Sequence, residues 1–500
     1  MPTKSKAKPF VRGAGILLPI TALPSNYGIG TLGASAYEFI DFLKAAGQKY
    51  WQVLPVGPTS FGDSPYQSFS AFAGNPYFID FDLLIEKGLF TQEDVSAFDW
   101  GENPSSVDYA KIFASRFQVL QLAFQHSKQK RSKEYQAFCT ENSFWLQDYS
   151  LYMALKFHFK NQEWLLWPED IRLRNPQAIR NYEKELKDQI DFWKFCQFQF
   201  YEQWANVKSY AKDSGIQIIG DIPIYVALDS ADVWTATNLF QLDESGHSIK
   251  VAGVPPDAFC ESGQLWGNPL YDWQAMEKED FAWWKRRMAH SAKLYDIIRI
   301  DHFIGAVQYY AIPAGDKTAE NGAWQVGPGQ KLTDAINSAI GNAKVIAEDL
   351  GVSLPAVKKL LKKTGYPSMK IIQFAFDGNP KNEHLPYNYT ANMAVYGGTH
   401  DNETLAGYFS GKKTKELKFA MSYLNVRHKK EIPWAVIRTL YQSVANTVLF
   451  QAQDILELPN SARMNFPSTI GTNWCWRLEN GQLTAKIAKK LKHLTQIYGR

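Results

Sequence analysis

The sequence predicts an α/β protein built on a (β/α)8 TIM barrel with large, mostly helical insertions between barrel strands. Two observations favour this fold: eight short apolar runs recur along the 500 residues, and helix-like segments separate many of them. The runs are continuous rather than alternating, which is typical of parallel strands that are buried on both faces. Eight buried strands that alternate with helices indicate this barrel.

The predicted strands occupy residues 15–19, 50–55, 216–219, 297–300, 344–347, 370–376, 393–396 and 462–466. Between the first two, Ser35 and Glu38 have the spacing of a capping box at the start of a helix, and Gly47 follows as its end. Little sequence follows the eighth run, so we expect no C-terminal β-domain.

Two connections between these strands are much longer than an ordinary βα loop. The first, at about 57–214, is rich in helical patterns and predicts an inserted helical subdomain. The second, at about 225–290, is rich in Gly, Pro and Trp and predicts a loop-rich insertion over the mouth of the barrel. Both are expected to belong to one catalytic domain that spans residues 1–500.

Composition excludes several classes of function. A net charge of +4 on 500 residues is too small to indicate a nucleic-acid partner. No run of about 18 apolar residues occurs, so neither a membrane span nor a membrane partner is expected. The four cysteines form no C-x-x-C pair, which argues against a zinc or redox motif and favours reduced thiols in the cytoplasm.

Polar residues follow four of the predicted strands directly. Asp221, Asp301 with His302, Glu348, and His400 with Asp401 stand at these strand ends. The carboxyl ends of the strands meet on one face of such a barrel, where active sites of this fold lie. We therefore expect these side chains to converge on one pocket, although any single carboxylate could instead cap a helix.

Three carboxylates beside a cation suit the cleavage of a glycosidic bond, which needs a nucleophile and a proton donor. Arg299 lies two residues before Asp301 on one strand, so both side chains point to the same side and the cation keeps Asp301 ionised. Glu348 must hold its proton, which requires burial or a neighbouring negative charge.

A catalytic metal is an open alternative, since Asp, Glu and His also bind Mg²⁺ or Zn²⁺. However, the sequence has no His-Glu-x-x-His spacing. It also lacks a phosphate-binding Gly-rich loop and a Gly-x-Ser-x-Gly elbow. No metal is therefore predicted.

The same residues resemble a known family. Residues 299–303 (RIDHF), 347–351 (AEDLG) and 398–402 (GTHDN) are similar to three motifs of the 4-α-glucanotransferases, which include bacterial amylomaltases and plant disproportionating enzymes. Further similarity lies at 62–66, 220–226, 263–269 and 473–474, so the resemblance covers almost the whole chain.

The resemblance implies roles for twelve residues. Asp301 matches the nucleophile that forms a covalent glucosyl-enzyme, Glu348 the general acid/base, and Asp401 the transition-state stabiliser. The positions that match substrate-binding residues are Tyr66, Asp221, Gln264, Trp266, Arg299, His302, Asp377, His400 and Asn473. The family uses no metal or organic cofactor.

Two residues depart from the family pattern. Ile304 stands where many members have Arg, and Glu403 stands where Asp is common. Both flank the motifs rather than replace a catalytic group, so we expect them to adjust local packing or the affinity of a sugar subsite.

The expected function is transfer of α-1,4-glucan segments from a donor to the 4-hydroxyl of an acceptor glucan or glucose. The predicted partners are therefore α-1,4-glucans and maltooligosaccharides. An α-1,4-glucan hydrolase of amylase type and a non-catalytic glucan-binding protein are the alternatives. A loop at 257–269 is predicted to close over the site and exclude water. The oligomeric state, the smallest donor and the formation of cyclic glucans are left open by the sequence.

Overall fold

The structure is a computed structural model that describes residues 10–127, 132–256, 261–351, 354–412 and 414–500. In these ranges no helix has both the length and the apolar character that a membrane span requires.

Eight parallel strands form the barrel, in the order β10-β11-β12-β1-β2-β3-β6-β9. The strands of the described chain are β1 (Gly13–Leu17), β2 (Tyr50–Gln52), β3 (Gln217–Pro223), β4 (Lys250–Val254), β5 (Gln264–Pro269), β6 (Ile297–Asp301), β7 (Gln308–Pro313), β8 (Ala323–Val326), β9 (Lys344–Ala347), β10 (Ser368–Ile371), β11 (Met393–Tyr396) and β12 (Thr447–Gln451). The predicted (β/α)8 fold is confirmed.

The barrel has a seam between β9 and β10. Every other pair of neighbouring strands in the described barrel is joined by a ladder of backbone hydrogen bonds, whereas β9 and β10 are not. Two hydrogen bonds hold the seam: Ala347 N donates to Pro367 O at 3.1 Å, and the Asp349 carboxylate accepts from Met369 N at 2.8 Å. Asp349 therefore joins two strands of the barrel.

Seven predicted strands overlap barrel strands, and the eighth is wrong. Of the predicted strand at 370–376, only 370–371 belong to β10, because residues 372–375 form a 3-10 helix. The eighth strand is β12, whereas residues 462–466 follow a short 3-10 turn and pair with no strand in the described chain. Ala462 and Met464 are buried there. The apolar residues of this segment thus pack against the core without joining a sheet, which misled the sequence prediction.

Nineteen helices occur in the described chain. They are α1 (Ala34–Ala45), α2 (Phe81–Glu86), α3 (Gln92–Ser96), α4 (Tyr109–His126), α5 (Lys133–Glu141), α6 (Ser143–His158), α7 (Glu169–Arg172), α8 (Pro176–Glu185), α9 (Lys187–Asp213), α10 (Ala231–Thr235), α11 (Trp273–Lys278), α12 (Ala282–Leu294), α13 (Gln330–Ala339), α14 (Pro355–Thr364), α15 (Leu405–Gly411), α16 (Thr414–Leu424), α17 (Ile432–Gln442), α18 (Ala452–Ile455) and α19 (Ala485–Ile497).

The first helix differs in detail from the prediction. Gly33 is the N-cap of α1 and makes no side-chain capping bond, so the proposed capping box at Ser35 is wrong. Gly47 follows the helix with a φ of 68°, as its predicted role in ending the helix requires.

Helices α2 to α9 lie between β2 and β3, in the segment at about 57–214. The segment at about 225–290 contains α10 to α12 together with β4 and β5. These two strands join β7 and β8 in a second sheet, which is antiparallel with the order β5-β4-β7-β8. The division of the chain into subdomains stays a prediction.

Candidate active site

A cleft of about 570 Å³ lies at the carboxyl ends of the barrel strands. Its size is within the range of ligand-binding pockets. It is lined by four residues at or after the ends of β6 and β11 and by residues of the long connections. The charged and aromatic lining residues are Asp301, His302, His400, Asp401, Tyr66, Tyr225, Trp266, Lys317 and Trp474.

Arg299 links two carboxylates at the floor of the cleft. Its guanidinium donates to Asp301 Oδ1 at 2.9 Å and also to Asp221 Oδ2 on the neighbouring strand. Arg299 and Asp221 are buried, whereas the side chain of Asp301 is 28% exposed toward the cleft. Although burial alone would lower the pKa of Arg299, the two carboxylates raise it, so the guanidinium stays charged.

Glu348 lies directly after β9 and is buried behind the cleft. Burial, reinforced by the negative charge of Asp301, raises the pKa of Glu348 to about 8. Two backbone amides fix its carboxyl group: His302 N donates to Oε2 at 2.7 Å, and Leu350 N donates to Oε1 at 2.8 Å. A carboxyl group with this pKa holds its proton at neutral pH and can act as an acid.

Asp401 keeps its charge under the same conditions. Burial opposes ionisation, but His400 and a hydrogen bond from Asn465 lower the pKa of Asp401 to about 2. His400 Nε2 lies 3.3 Å from Asp401 Oδ2, and Asn465 Nδ2 donates to Oδ1 at 2.6 Å. An ionised Asp401 in the cleft and a protonated Glu348 behind it thus lie in different surroundings, which is typical of acid/base sites.

Tyr66 connects the Arg299–Asp221 pair with the His400–Asp401 pair. Its hydroxyl donates to Asp221 Oδ2 at 3.0 Å and lies 3.4 Å from His400 Nδ1. Its ring stacks on the His400 ring with a centroid separation of 4.9 Å and an interplanar angle of 21°. Tyr66 therefore fixes the plane of His400 beside Asp401.

His302 has a backbone conformation that is uncommon for a non-glycine residue, with a φ of 50°. Burial lowers its pKa to about 4, so the imidazole is neutral. Its Nε2 is buried and makes no hydrogen bond to the part of the chain that the structure describes. The Trp266 ring meets it edge-on, with centroids 4.7 Å apart. His302 Nε2 is thus available to bond a ligand beside the Trp266 ring.

The segment predicted to close over the site is only partly a loop. Residues 257–260 lie outside the described residues. Residues 264–269 form β5, which pairs with β4 in the antiparallel sheet. Gln264 Oε1 accepts a hydrogen bond from Trp266 Nε1 at 3.1 Å, so this strand holds the ring in place at the edge of the cleft.

The structure brings together eleven of the twelve predicted site residues. Eight line the cleft: Tyr66, Gln264, Trp266, Asp301, His302, His400, Asp401 and Asn473. Asp221, Arg299 and Glu348 lie directly behind it and are hydrogen-bonded to lining residues or their neighbours.

Asp377 is the exception. It is exposed and does not line the cleft, and its carboxylate accepts a hydrogen bond from Asn379 N at 2.8 Å. This is turn geometry, which the residue before Gly378 can provide without a ligand.

Sequence reasoning did not single out Asn465, which contacts the Asp401 carboxylate directly. It also missed Arg463, whose guanidinium donates to Asp401 O at 2.6 Å and lies over the Phe466 ring. Both residues stand in the segment that was mistaken for a strand. No pattern in the sequence marks these two residues, because buried polar residues also occur inside true barrel strands such as β3 and β6.

Within the described ranges, no group of three or more His, Cys, Asp or Glu side chains has the arrangement of a metal site.

Comparison with known proteins relates this site to one family. The family model described as 4-alpha-glucanotransferase matches residues 18–484. A 4-alpha-glucanotransferase of Clostridium butyricum is 50% identical over 483 residues, covering 96% of this chain and 99% of the relative. A chloroplastic/amyloplastic 4-alpha-glucanotransferase of Solanum tuberosum is 40% identical over 502 residues, covering 98% and 86%. The structure is similar to that of an amylomaltase from Streptococcus agalactiae in complex with acarbose, with a TM-score of 0.95, 42% identity and coverage of 98% and 99%.

Proposed function

The chain belongs to the 4-alpha-glucanotransferase family, and from this premise we propose that Asp301, Glu348 and Asp401 carry out a retaining double displacement on α-1,4-glucans. The protein is a transferase that acts on these glucans. The observation that supports the mechanism best is the pair of carboxyl groups with opposite surroundings: Asp301 faces a cation, whereas Glu348 is buried with its proton.

In the first half-reaction, an Asp301 oxygen attacks the anomeric carbon, and the bond from that carbon to the leaving 4-oxygen breaks. Glu348 gives its proton to that oxygen, so the leaving glucan departs as a neutral alcohol. The Asp301 oxygen that accepts from Arg299 stays bound to the cation, which leaves the other oxygen for the attack. The product is a covalent β-glucosyl ester.

In the second half-reaction, the 4-hydroxyl of an acceptor attacks the same carbon from the opposite face. Its proton passes to the ionised Glu348, and the bond to Asp301 breaks, which restores both carboxyl groups and the α-linkage. A retaining mechanism of this kind requires the two carboxyl groups to lie about 5–5.5 Å apart. Glu348 Oε2 accepts a hydrogen bond from His302 N, the amide that directly follows Asp301, which supports such a short separation.

The ionised Asp401 supports the transition state. Positive charge develops on the sugar ring as the glycosidic bond breaks, and a carboxylate with a pKa of about 2 is ionised at every working pH. His400 and His302 are placed to bond sugar hydroxyls, and Trp266 offers an apolar face for a pyranose ring.

Transfer to a sugar rather than to water is tested with pure maltotriose. We expect a series of longer and shorter maltooligosaccharides with no net increase in reducing ends, and faster exchange when glucose is added as acceptor. Glucose and maltose alone, with a steady rise in reducing ends, would show a hydrolase instead. Asp301→Asn should abolish turnover while glucan binding persists, and a binding protein would have no turnover to lose.

Glucose as an acceptor and a cytoplasmic location are further parts of this proposal. Fractionation of the source cells and the glucose-exchange assay test them separately.

A further inference from the structure

A buried carboxyl group lies beneath the loop that carries His400 and Asp401. Asp454 stands on the short helix α18, just after β12, and is 1% exposed. It forms no ion pair in the part of the chain that the structure describes. Burial raises the pKa of Asp454 to about 7, although the hydrogen bond from Leu405 N acts against this effect. Burial of such a carboxyl group lowers the free energy of unfolding. A role for it must therefore lie in the groups that it binds.

Asp454 lies at the base of one loop, residues 397–405, and is hydrogen-bonded to one end of it. At the far end, its Oδ1 accepts a hydrogen bond from Leu405 N, the first residue of α15, at 2.7 Å. At the near end, its Oδ2 lies beside Gly397, where an added Cβ would come within 3.1 Å of that oxygen. Oδ2 is buried and makes no hydrogen bond within the described chain. One side chain therefore spans the loop at its base.

The loop also has other contacts with the segment that follows β12. Asn460 donates to the Glu403 carboxylate, and its Oδ1 accepts from Thr404 N at 3.3 Å. These contacts hold residues 403–404, in the second half of the loop. Asp454 differs from Asn460 in lying next to Gly397, before the His400 motif, as well as bonding Leu405 N after it.

We propose that Asp454 is a positioning residue for the transfer reaction, which holds the base of residues 397–405 so that Asp401 and His400 keep their places in the cleft. It touches no substrate. The inference rests on the proposed role of Asp401, because the loop matters to the reaction only if Asp401 does. A displacement of about 1 Å in a catalytic group is enough to slow a reaction about a hundredfold.

The test compares Asp454→Ala, Asp454→Asn and the control Asp80→Ala in disproportionation of maltotriose. Asp80 is a suitable control because it is also buried, and its Oδ1 also accepts from an amide in the first turn of a helix, Leu83 N, away from the cleft. For Asp454→Ala we expect kcat to fall about tenfold to a hundredfold, with KM changed less than about threefold. Asp80→Ala should lower the unfolding temperature but not kcat per folded molecule.

Asp454→Asn should recover most of kcat, because the amide oxygen can still accept from Leu405 N. A purely structural role would not separate the two Asp454 variants in kcat at equal folded fraction. The inference is overturned if Asp454→Ala keeps wild-type kcat, or if its loss matches that of the control.

A second variant serves if Asp454→Ala does not fold. Gly397→Ala brings a methyl group against Oδ2 without requiring a left-handed backbone, and it should lower kcat with little change in KM. A wild-type kcat in Gly397→Ala overturns the inference. Asp401→Asn distinguishes the two proposals: if that variant stays fully active, the proposed function fails, and if it is inactive while Asp454→Ala is active, only the positioning role fails.

Discussion

The proton on Glu348 makes a quantitative prediction for the pH dependence of the reaction. Burial and the charge of Asp301 raise the pKa of Glu348 to about 8, so the acid form persists through neutral pH and is lost above it. With this pKa about half of the enzyme is in the acid form at about pH 8, about a tenth at about pH 9 and about a hundredth at about pH 10.

Only the acid form can protonate the leaving oxygen of a glucan. We therefore expect kcat/KM for maltotriose to be level near neutral pH and to fall about tenfold for each pH unit well above pH 8. The measurement is the initial rate of oligosaccharide exchange at low substrate concentration, with each sample returned to neutral pH afterwards to check that activity recovers.

A donor that needs no proton provides the control. The fluoride ion departs from α-maltosyl fluoride without the help of a general acid. We therefore expect kcat/KM for that donor to stay level through about pH 9. Glu348→Gln should lose nearly all activity toward maltotriose but keep a much larger share toward the fluoride. A parallel decline with both donors, or a level profile for maltotriose through about pH 9.5, would refute the assignment of the proton to Glu348.

Four substitutions test the rest of the site. Arg299→Met leaves a buried aspartate without its cation and should lower the free energy of unfolding by about 3–5 kcal/mol, measured by urea denaturation; an unchanged midpoint would contradict this. Asn465→Ala removes a hydrogen bond to Asp401, worth about 1.5–3 kcal/mol, and should lower kcat about tenfold to a hundredfold, whereas unchanged turnover would exclude this role. Trp266→Ala should raise KM for maltotriose about fivefold through about 1 kcal/mol of lost ring contact, with kcat changing less. Asp377→Ala should leave KM within about twofold, and a larger rise would restore the binding role that the family resemblance implies.

The barrel could be predicted because its signal is local. Strands that are buried on both faces are mostly apolar runs, β6 ends in Asp301, and Glu348 directly follows β9. Asp301 and Glu348 are therefore predictable from the sequence as strand-end residues.

The eighth strand shows the limit of this reasoning. The strand β12, Thr447–Gln451, is fully buried. The apolar pattern nevertheless predicts the eighth strand at residues 462–466. Apolar residues under a loop give the same short pattern as a strand, and only the pairing with β11 and β1 separates the two. The contacts of Asn465 and Asp454 could not be predicted either, because each depends on how the segment after β12 folds back on the loop at residues 397–405.

The seam between β9 and β10 has a consequence for acid strength. Glu348 stands between the two hydrogen bonds that hold the seam, those of Ala347 and Asp349. No ladder joins these strands in the described barrel, so a separation would break only these two bonds and would admit water to the Glu348 carboxyl group. Because water stabilises the ionised form, we expect any opening of the seam to lower the pKa of Glu348. The closed seam thus helps to keep the proton on this carboxyl group.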